Sequence, residues 1–254
     1  VSGRGKDIYL IDGYFSDAEA KEMRAYCAQA TFSRNSYGSP EAIEKGEQPA
    51  RSMDSKERWL FFSHPPQPIN ELYHFFGMLA HCLEAEVATL PWELCDANGS
   101  GSSSVIVNFL EKMSPESMEL GKHRDCNPAS QVSFGIPILY QQGGEFHPSS
   151  FANGAVGNPW LISVMLYVTD AAFLPEYRLG TVFYDQRGKL VFRADCIPMR
   201  IVIFEGDITH SIEASEIPPS IKTWRISCVF KLVLNPKNPD QSIKQKFSEW
   251  LLRK

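Results

Sequence analysis

Ile201-Val202-Ile203-Phe204-Glu205-Gly206-Asp207-Ile208-Thr209-His210 is the stretch on which the reading of the fold turns. Its four apolar residues, three of them β-branched, suit a buried strand. Gly206-Asp207 then turns the chain, and a histidine closes the run. Upstream, Gly121-Lys122-His123-Arg124-Asp125 supplies an H-x-D pair. In an extended segment residues i and i+2 point to one side, so the His123 imidazole and the Asp125 carboxylate can face one metal ion. Alone, the pair is a weak signal, and each histidine by itself reads as an ordinary surface or core residue. Taken together, His123, Asp125 and His210 form a two-histidine, one-carboxylate ligand set.

Downstream, Trp224-Arg225-Ile226-Ser227-Cys228-Val229-Phe230 places an arginine inside an apolar strand. A guanidinium out of water is costly unless an anion meets it, and its fork of donors suits a carboxylate. Ser227 shares its face and can touch the same anion. A structural ion pair would also account for Arg225, and Lys222 competes for the anion, although its place beside Pro218-Pro219 favours solvent. Three protein ligands leave three octahedral positions on a metal, two for a chelating 2-oxo acid and one for oxygen.

Working outward, short strands are expected over 103–110, 130–140, 160–168, 181–185, 189–193, 200–205 and 224–234, with Gln186-Arg187-Gly188 as a hairpin signal. Many short strands at modest spacing point to a sandwich or jelly roll. Before them come a strand at Ile8–Ile11 and a helix opened by the capping pair Ser16 and Glu19, running to about Ala30. A polar loop over 32–57 leads to a short strand over 58–62 and an amphipathic helix from Pro68 to about Glu86. A last helix is expected over about 241–252. The fold class is therefore mainly β with flanking helices, in one domain over 1–254: N-terminal support to 100, a β core over 101–234 and a C-terminal helix over 235–254.

Composition narrows the function classes. With 43% apolar and 22% charged residues and a net charge of −5, the chain reads as globular, with no global pull toward nucleic acid or anionic membrane. No apolar run approaches the roughly 18 residues of a membrane span, and Val1 to Asp7 show no signal region, so a cytoplasmic protein is expected. The six cysteines, Cys27, Cys82, Cys95, Cys126, Cys196 and Cys228, contain no C-x-x-C pair, which argues against a zinc ribbon or disulfide scaffold.

With these residues in view, the sequence resembles the Fe(II)/2-oxoglutarate oxygenase superfamily, in particular its prolyl-hydroxylase-like branch, over about residues 102–234. Besides His123-x-Asp125, His210 and Arg225-x-Ser227, Val164-Met165-Leu166-Tyr167-Val168-Thr169-Asp170 looks like that branch's strand ending in Tyr-Leu-Asn. Pro198-Met199-Arg200-Ile201-Val202-Ile203-Phe204 resembles its Pro-x-x-Gly-x-x-x-Phe strand. Departures are a single glycine, Gly180, where two are usual, Phe109 where a tyrosine is frequent, a spacing of 15 from His210 to Arg225, and an insertion over 141–158. The resemblance implies a double-stranded β-helix, cupin-like, in which Tyr167 and Arg225 hold the distal carboxylate of 2-oxoglutarate. It also implies Fe(II) and O2, with ascorbate as an optional reductant. The reaction implied is hydroxylation of a C–H bond, most simply on an amino-acid side chain in a peptide, a protein or the free amino acid, with release of succinate and CO2. Retention of Asp125 favours hydroxylation over halogenation. Two alternatives stand beside it: a nucleic-acid oxidative demethylase, which would call for further arginines after Arg225 and a basic face, and a non-catalytic cupin-like binding module. His147 reads as a loop residue, and oligomeric state is not legible.

Overall fold

A computed structural model of the chain describes residues 2–3, 6–34, 50–53, 61, 64–89, 109–113, 121–127, 132–133, 136–137, 152–170 and 172–252. In chain order its strands begin with β1 (Ser2–Gly3), β2 (Lys6–Ile11), β3 (Phe32–Arg34), β4 (Ala50–Met53), β5 (Ala85–Thr89), β6 (Phe109–Met113), β7 (Cys126–Asn127), β8 (Val132–Ser133) and β9 (Ile136–Pro137). They continue with β10 (Trp160–Tyr167), β11 (Thr181–Tyr184), β12 (Leu190–Ala194), β13 (Ile201–Glu205), β14 (His210–Ile212) and β15 (Arg225–Pro236). Among the described residues, the helices of two or more turns are α1 (Asp17–Gln29), α2 (Gln67–Cys82) and α3 (Ile243–Leu252).

Side-chain alternation along the two central strands sets the layers. All eight residues of β10 are buried, which demands cover on both faces of its sheet. Ile162, Val164 and Leu166 enter a core with Met23 of α1, Leu72 and Phe76 of α2 and Phe247 of α3, whereas Met165 and Tyr167 enter a second core with Phe183 and Phe204. β15 divides the same way. Cys228, Phe230 and Leu232 face the helices and Val229 the second core, so strand parity puts Arg225, Ser227 and Lys231 on the inner face too. An arginine can stand in an apolar run here because only every second residue touches the hydrocarbon layer.

The large sheet has the order β1-β2-β13-β10-β15-β6-β4-β3, with β5 also paired to β15, the small sheet has the order β12-β11-β14, and the short strands β7-β8-β9 pair in a third. Every pairing is antiparallel. From β10 onward the chain passes back and forth between the two sheets, which close over a shared interior. That path is a double-stranded β-helix.

Local expectations fare unevenly. The Ser16–Glu19 capping box forms, with Glu19 N–H donating to Ser16 Oγ at 3.3 Å and Ser16 N–H to Glu19 Oε2 at 2.8 Å. α2 stops at Cys82 rather than near Glu86, because Glu84 takes a left-handed conformation (φ 49°). Ala85 to Thr89 then pair with Pro236 to Leu232, so the edge of β15 recruits them as strand. The single strand expected over 130–140 is instead two short ones, β8 and β9, paired with each other, with Gly135 between them in sequence. Phe61 is helical, against the strand expected over 58–62, whose other residues lie outside the described set. The expected strand over 103–108, most of the 32–57 loop, and 141–151 of the insertion also lie outside it.

The insertion rejoins the fold through Asn153, whose side chain donates to Leu161 O at 2.9 Å and accepts from Leu161 N–H at 2.7 Å. Close to it, the buried Glu205 carboxylate meets Lys244 of α3, and Asp7 Oδ2 lies 3.9 Å from the same ammonium. Removing one partner of a buried pair is costlier than the pair's net worth. Lys244→Met should therefore destabilise the protein by roughly 2–3 kcal/mol, less than for a fully buried pair. The check is a fall in the urea midpoint at unchanged slope; an unmoved midpoint would show that this pair does not clamp α3. Among the described residues, no helix is long and apolar enough to cross a membrane.

Candidate active site

His210 opens β14, and its backbone pairs with that of His123. The His123 N–H donates to His210 O at 3.0 Å and the His210 N–H returns to His123 O at 2.9 Å. Residues opposite one another in an antiparallel bridge carry their side chains on the same side, and the two imidazole centroids lie 4.4 Å apart. The i, i+2 relation brings Asp125 to that side as well. His123 Nε2 is 4.0 Å from Asp125 Oδ1 and His210 Nε2 is 3.8 Å from Oδ2. One ligand atom from each residue lies within 4.8 Å of the others, the one such cluster found among the described residues.

Both rings are held in the tautomer a metal needs. His123 Nδ1 lies 3.0 Å from Gly121 O, and His210 Nδ1 lies 2.9 Å from Ile208 O. A carbonyl can only accept, so each Nδ1 carries the proton and each Nε2 keeps its lone pair for the site. Burial pushes the His210 imidazole down to about 4 from an ordinary 6.5. As pH falls through 6.5 the unfolded chain takes up a proton that the folded ring refuses until about 4. Metal-free protein should therefore lose up to roughly 3 kcal/mol of stability across that window and little more from this group below it. Urea midpoints across the window should slope in the wild type and flatten in His210→Gln; equal slopes would rule the ring out as the cause.

The Asp125 carboxylate is nearly buried, which would raise its pKa. The Lys231 ammonium, His210 and the Ser163 hydroxyl outweigh that and hold it well below the usual carboxylate range. Ser163 Oγ donates to Asp125 Oδ2 at 2.5 Å, Lys231 Nζ contacts the same oxygen, and Lys231 Nζ also donates to Ser163 Oγ at 3.2 Å. Ser163 and Lys231 stand directly opposite each other across β10 and β15. The sequence reading missed both. The signal was present, since Lys231 interrupts an apolar run and shares the parity of Arg225 and Ser227.

Arg225 is buried, and Lys222 is exposed. The guanidinium donates to Ser227 Oγ at 2.9 Å, approaches Met165 Sδ at 3.4 Å and stands 5.3 Å from the centre of the Tyr167 ring. Tyr167 therefore offers Arg225 its face. Its hydroxyl lies 2.9 Å from Thr181 Oγ1, accepts the Thr181 N–H at 3.1 Å and lies 3.3 Å from Ala194 O, tying β10 to the small sheet. Burial pushes the phenol up to about 12. Met165, which touches Arg225, and Ser163, which touches Asp125, are two positions apart on one strand face, roughly 7 Å. That separation is close to the length of a five-carbon dicarboxylate.

Phe204 and Phe183 wall the inner side of His210, with ring centroids at 4.8 and 6.1 Å. The His123 side chain is 43% exposed, against 7% for His210 and 10% for Asp125, so the site opens at His123. On the outward face of the same segment, Lys122 Nζ lies 3.9 Å from the centre of the Tyr184 ring and Arg124 Nε donates to Thr209 Oγ1 at 3.1 Å. His147 and the side chains of Phe109 and Cys126 lie outside the described set.

Sequence comparison finds neither a matching family model nor a similar curated protein. Comparison of structures does better. The chain superposes on HygX from Streptomyces hygroscopicus, solved with nickel and 2-oxoglutarate bound, with a TM-score of 0.51 and 8% identity over 91% of this chain and 84% of that one. The fold is shared. At such identity the likeness speaks to fold alone. A Pseudomonas putida prolyl-4-hydroxylase (8% identity, 91% of this chain and 94% of that one) and the α-ketoglutarate-dependent epimerase SnoN (10% identity, 89% and 77%) give TM-scores of 0.43 and 0.45, too low to add to it.

Proposed function

We propose that the chain is an Fe(II)- and 2-oxoglutarate-dependent oxygenase in which His123, Asp125 and His210 hold the iron and Arg225, with Ser227, holds the distal carboxylate of 2-oxoglutarate. The observation that carries the reading is the meeting of three ligand atoms within 4.8 Å in a double-stranded β-helix, on a strand face that two residues farther along meets a buried guanidinium. Two imidazoles and one carboxylate suit iron(II) and leave coordination positions open. HygX, which shares the fold, was solved with a metal and 2-oxoglutarate, which supports the assignment.

When bound, iron and 2-oxoglutarate together activate O2 for oxidation of a C–H bond, with succinate and CO2 as co-products. The chain's own residues set the stage for this. The carbonyls of Gly121 and Ile208 aim the two Nε2 atoms inward, and the ammonium of Lys231 keeps Asp125 ionised. Arg225 fixes the far end of the cosubstrate by a charge-assisted fork, and the Tyr167 ring closes one side of that pocket. Phe183, Phe204 and Met165 exclude water from the interior, which strengthens each of these electrostatic contacts. Substrate enters on the exposed side of His123. Hydroxylation of an amino-acid side chain, in a peptide, a protein or the free amino acid, is the reaction favoured by the sequence resemblance.

The test is anaerobic loading with Fe(II), followed by 2-oxoglutarate, O2 and a panel of peptides and free amino acids. Succinate should form, and should rise with the right substrate. Protein that neither retains Fe(II) nor yields succinate would instead be a binding module.

A further inference from the structure

The ligand set leaves Lys231 unexplained, since a buried ammonium pressed against a metal-ligating carboxylate opposes the cation that the site is built to hold. Building on the iron and 2-oxoglutarate reading, we propose that Lys231 is a positioning residue: with Ser163 it occupies Asp125 Oδ2, so that Asp125 offers the metal Oδ1 alone.

The hydrogen-bond directions fit together. Lys231 Nζ donates to Ser163 Oγ at 3.2 Å, Ser163 Oγ donates to Asp125 Oδ2 at 2.5 Å, and Lys231 Nζ contacts Oδ2 directly. A carboxylate oxygen has two acceptor sites, and these two donors fill those of Oδ2. The other oxygen, Oδ1, carries neither donor and lies 4.0 Å from His123 Nε2, while the doubly hydrogen-bonded Oδ2 lies 3.8 Å from His210 Nε2. The arrangement is set by the sheet rather than by flexible side chains, because Ser163 and Lys231 are register partners in β10 and β15 and both are buried.

Coordination number gives the pairing its purpose. A carboxylate binding through both oxygens would take a fourth octahedral position and leave two. A chelating 2-oxo acid would fill both, with none left for oxygen. Holding Oδ2 keeps three positions open.

The experiment uses full-length protein loaded anaerobically with Fe(II). It reads metal affinity by titration, 2-oxoglutarate chelation by the visible charge-transfer absorption that a 2-oxo acid gives when both its oxygens chelate Fe(II), and the position left for oxygen by anaerobic titration of that chelate with nitric oxide, an O2 surrogate, followed by electron paramagnetic resonance. Wild type should bind Fe(II) and 2-oxoglutarate, show the band and then take up nitric oxide. Lys231→Met, which keeps an unbranched chain in the same space, should bind Fe(II) at wild-type affinity or tighter, since a neighbouring cation is gone and a second oxygen is released. Its 2-oxoglutarate chelate should keep the band, because two positions remain, but the affinity of that chelate for nitric oxide should fall by about 10- to 100-fold, the usual effect of removing an outer partner of a metal ligand. Ser163→Ala should move both readouts in the same direction by less, and it decides the matter by the same criteria if Lys231→Met does not fold. The proposal is overturned if the Lys231→Met chelate binds nitric oxide with wild-type affinity, or if the variant loses Fe(II) itself. If wild type retains no Fe(II) and shows no band, the oxygenase reading fails, and this role for Lys231 falls with it.

Discussion

His210→Ala is expected to abolish divalent-metal binding while leaving the metal-free fold in place. The backbone pairing of His210 with His123 does not depend on the side chain, so the strand bridge that places His123 survives. What disappears is one of the three ligand atoms and the packing of the ring on Phe204 and Phe183. Loss of that packing costs on the order of 1–3 kcal/mol, partly offset because a buried imidazole is no longer kept neutral against its own tendency to protonate. A ligand that binds only the folded state at about 100 times its Kd stabilises by roughly 2.7 kcal/mol. For a chain of this size that is a rise in melting temperature of about 5–10 °C. Wild type should show that rise with Ni(II), or with Fe(II) under anaerobic conditions, and His210→Ala should show none. An equal rise in the variant would move the metal away from this cluster.

Arg225→Met should retain metal and lose 2-oxoglutarate. The guanidinium stands on the inner face of β15 beside Ser227 and Met165, where a carboxylate would be met in a dry interior. Truncating one partner of such a pair costs about 2–5 kcal/mol, so the 2-oxoglutarate requirement should rise by about 30- to 1,000-fold or more, at 1.4 kcal/mol per factor of ten. Stability without cosubstrate should hold or rise, because an unbranched apolar chain replaces a buried cation. Lys222→Met is the matched control and should change neither quantity, since that side chain is exposed. The reverse pattern, a wild-type requirement in Arg225→Met and a raised one in Lys222→Met, would return the carboxylate to the loop.

How far these residues were legible in the sequence depends on the range of the interaction that places them. His123 and Asp125 are two apart, and strand periodicity alone aligns them. Arg225 and Ser227 are related in the same way, and the bond between them forms. Local conformation also carries the Ser16–Glu19 capping box. By contrast, Glu86 was read as helix because an apolar period ran up to it. Its state is decided by β15, which offers Asn235 as a pairing partner. Tyr167 was read as a cosubstrate contact through its hydroxyl. The structure instead turns that hydroxyl toward Thr181 and Ala194, contacts made by the approach of the small sheet, and leaves the ring beside Arg225.

By itself, then, the sequence determined the alternating strands, the polar residues that interrupt them, and the two-residue relations that put pairs of side chains on one face. Those are consequences of backbone geometry over a few residues. The tertiary structure decided which faces meet: the bridge that sets His210 beside His123, the register that sets Ser163 opposite Lys231, and the closure of two sheets that presses that lysine against Asp125. Such contacts join positions tens of residues apart, and their energies come from partners that no local pattern contains.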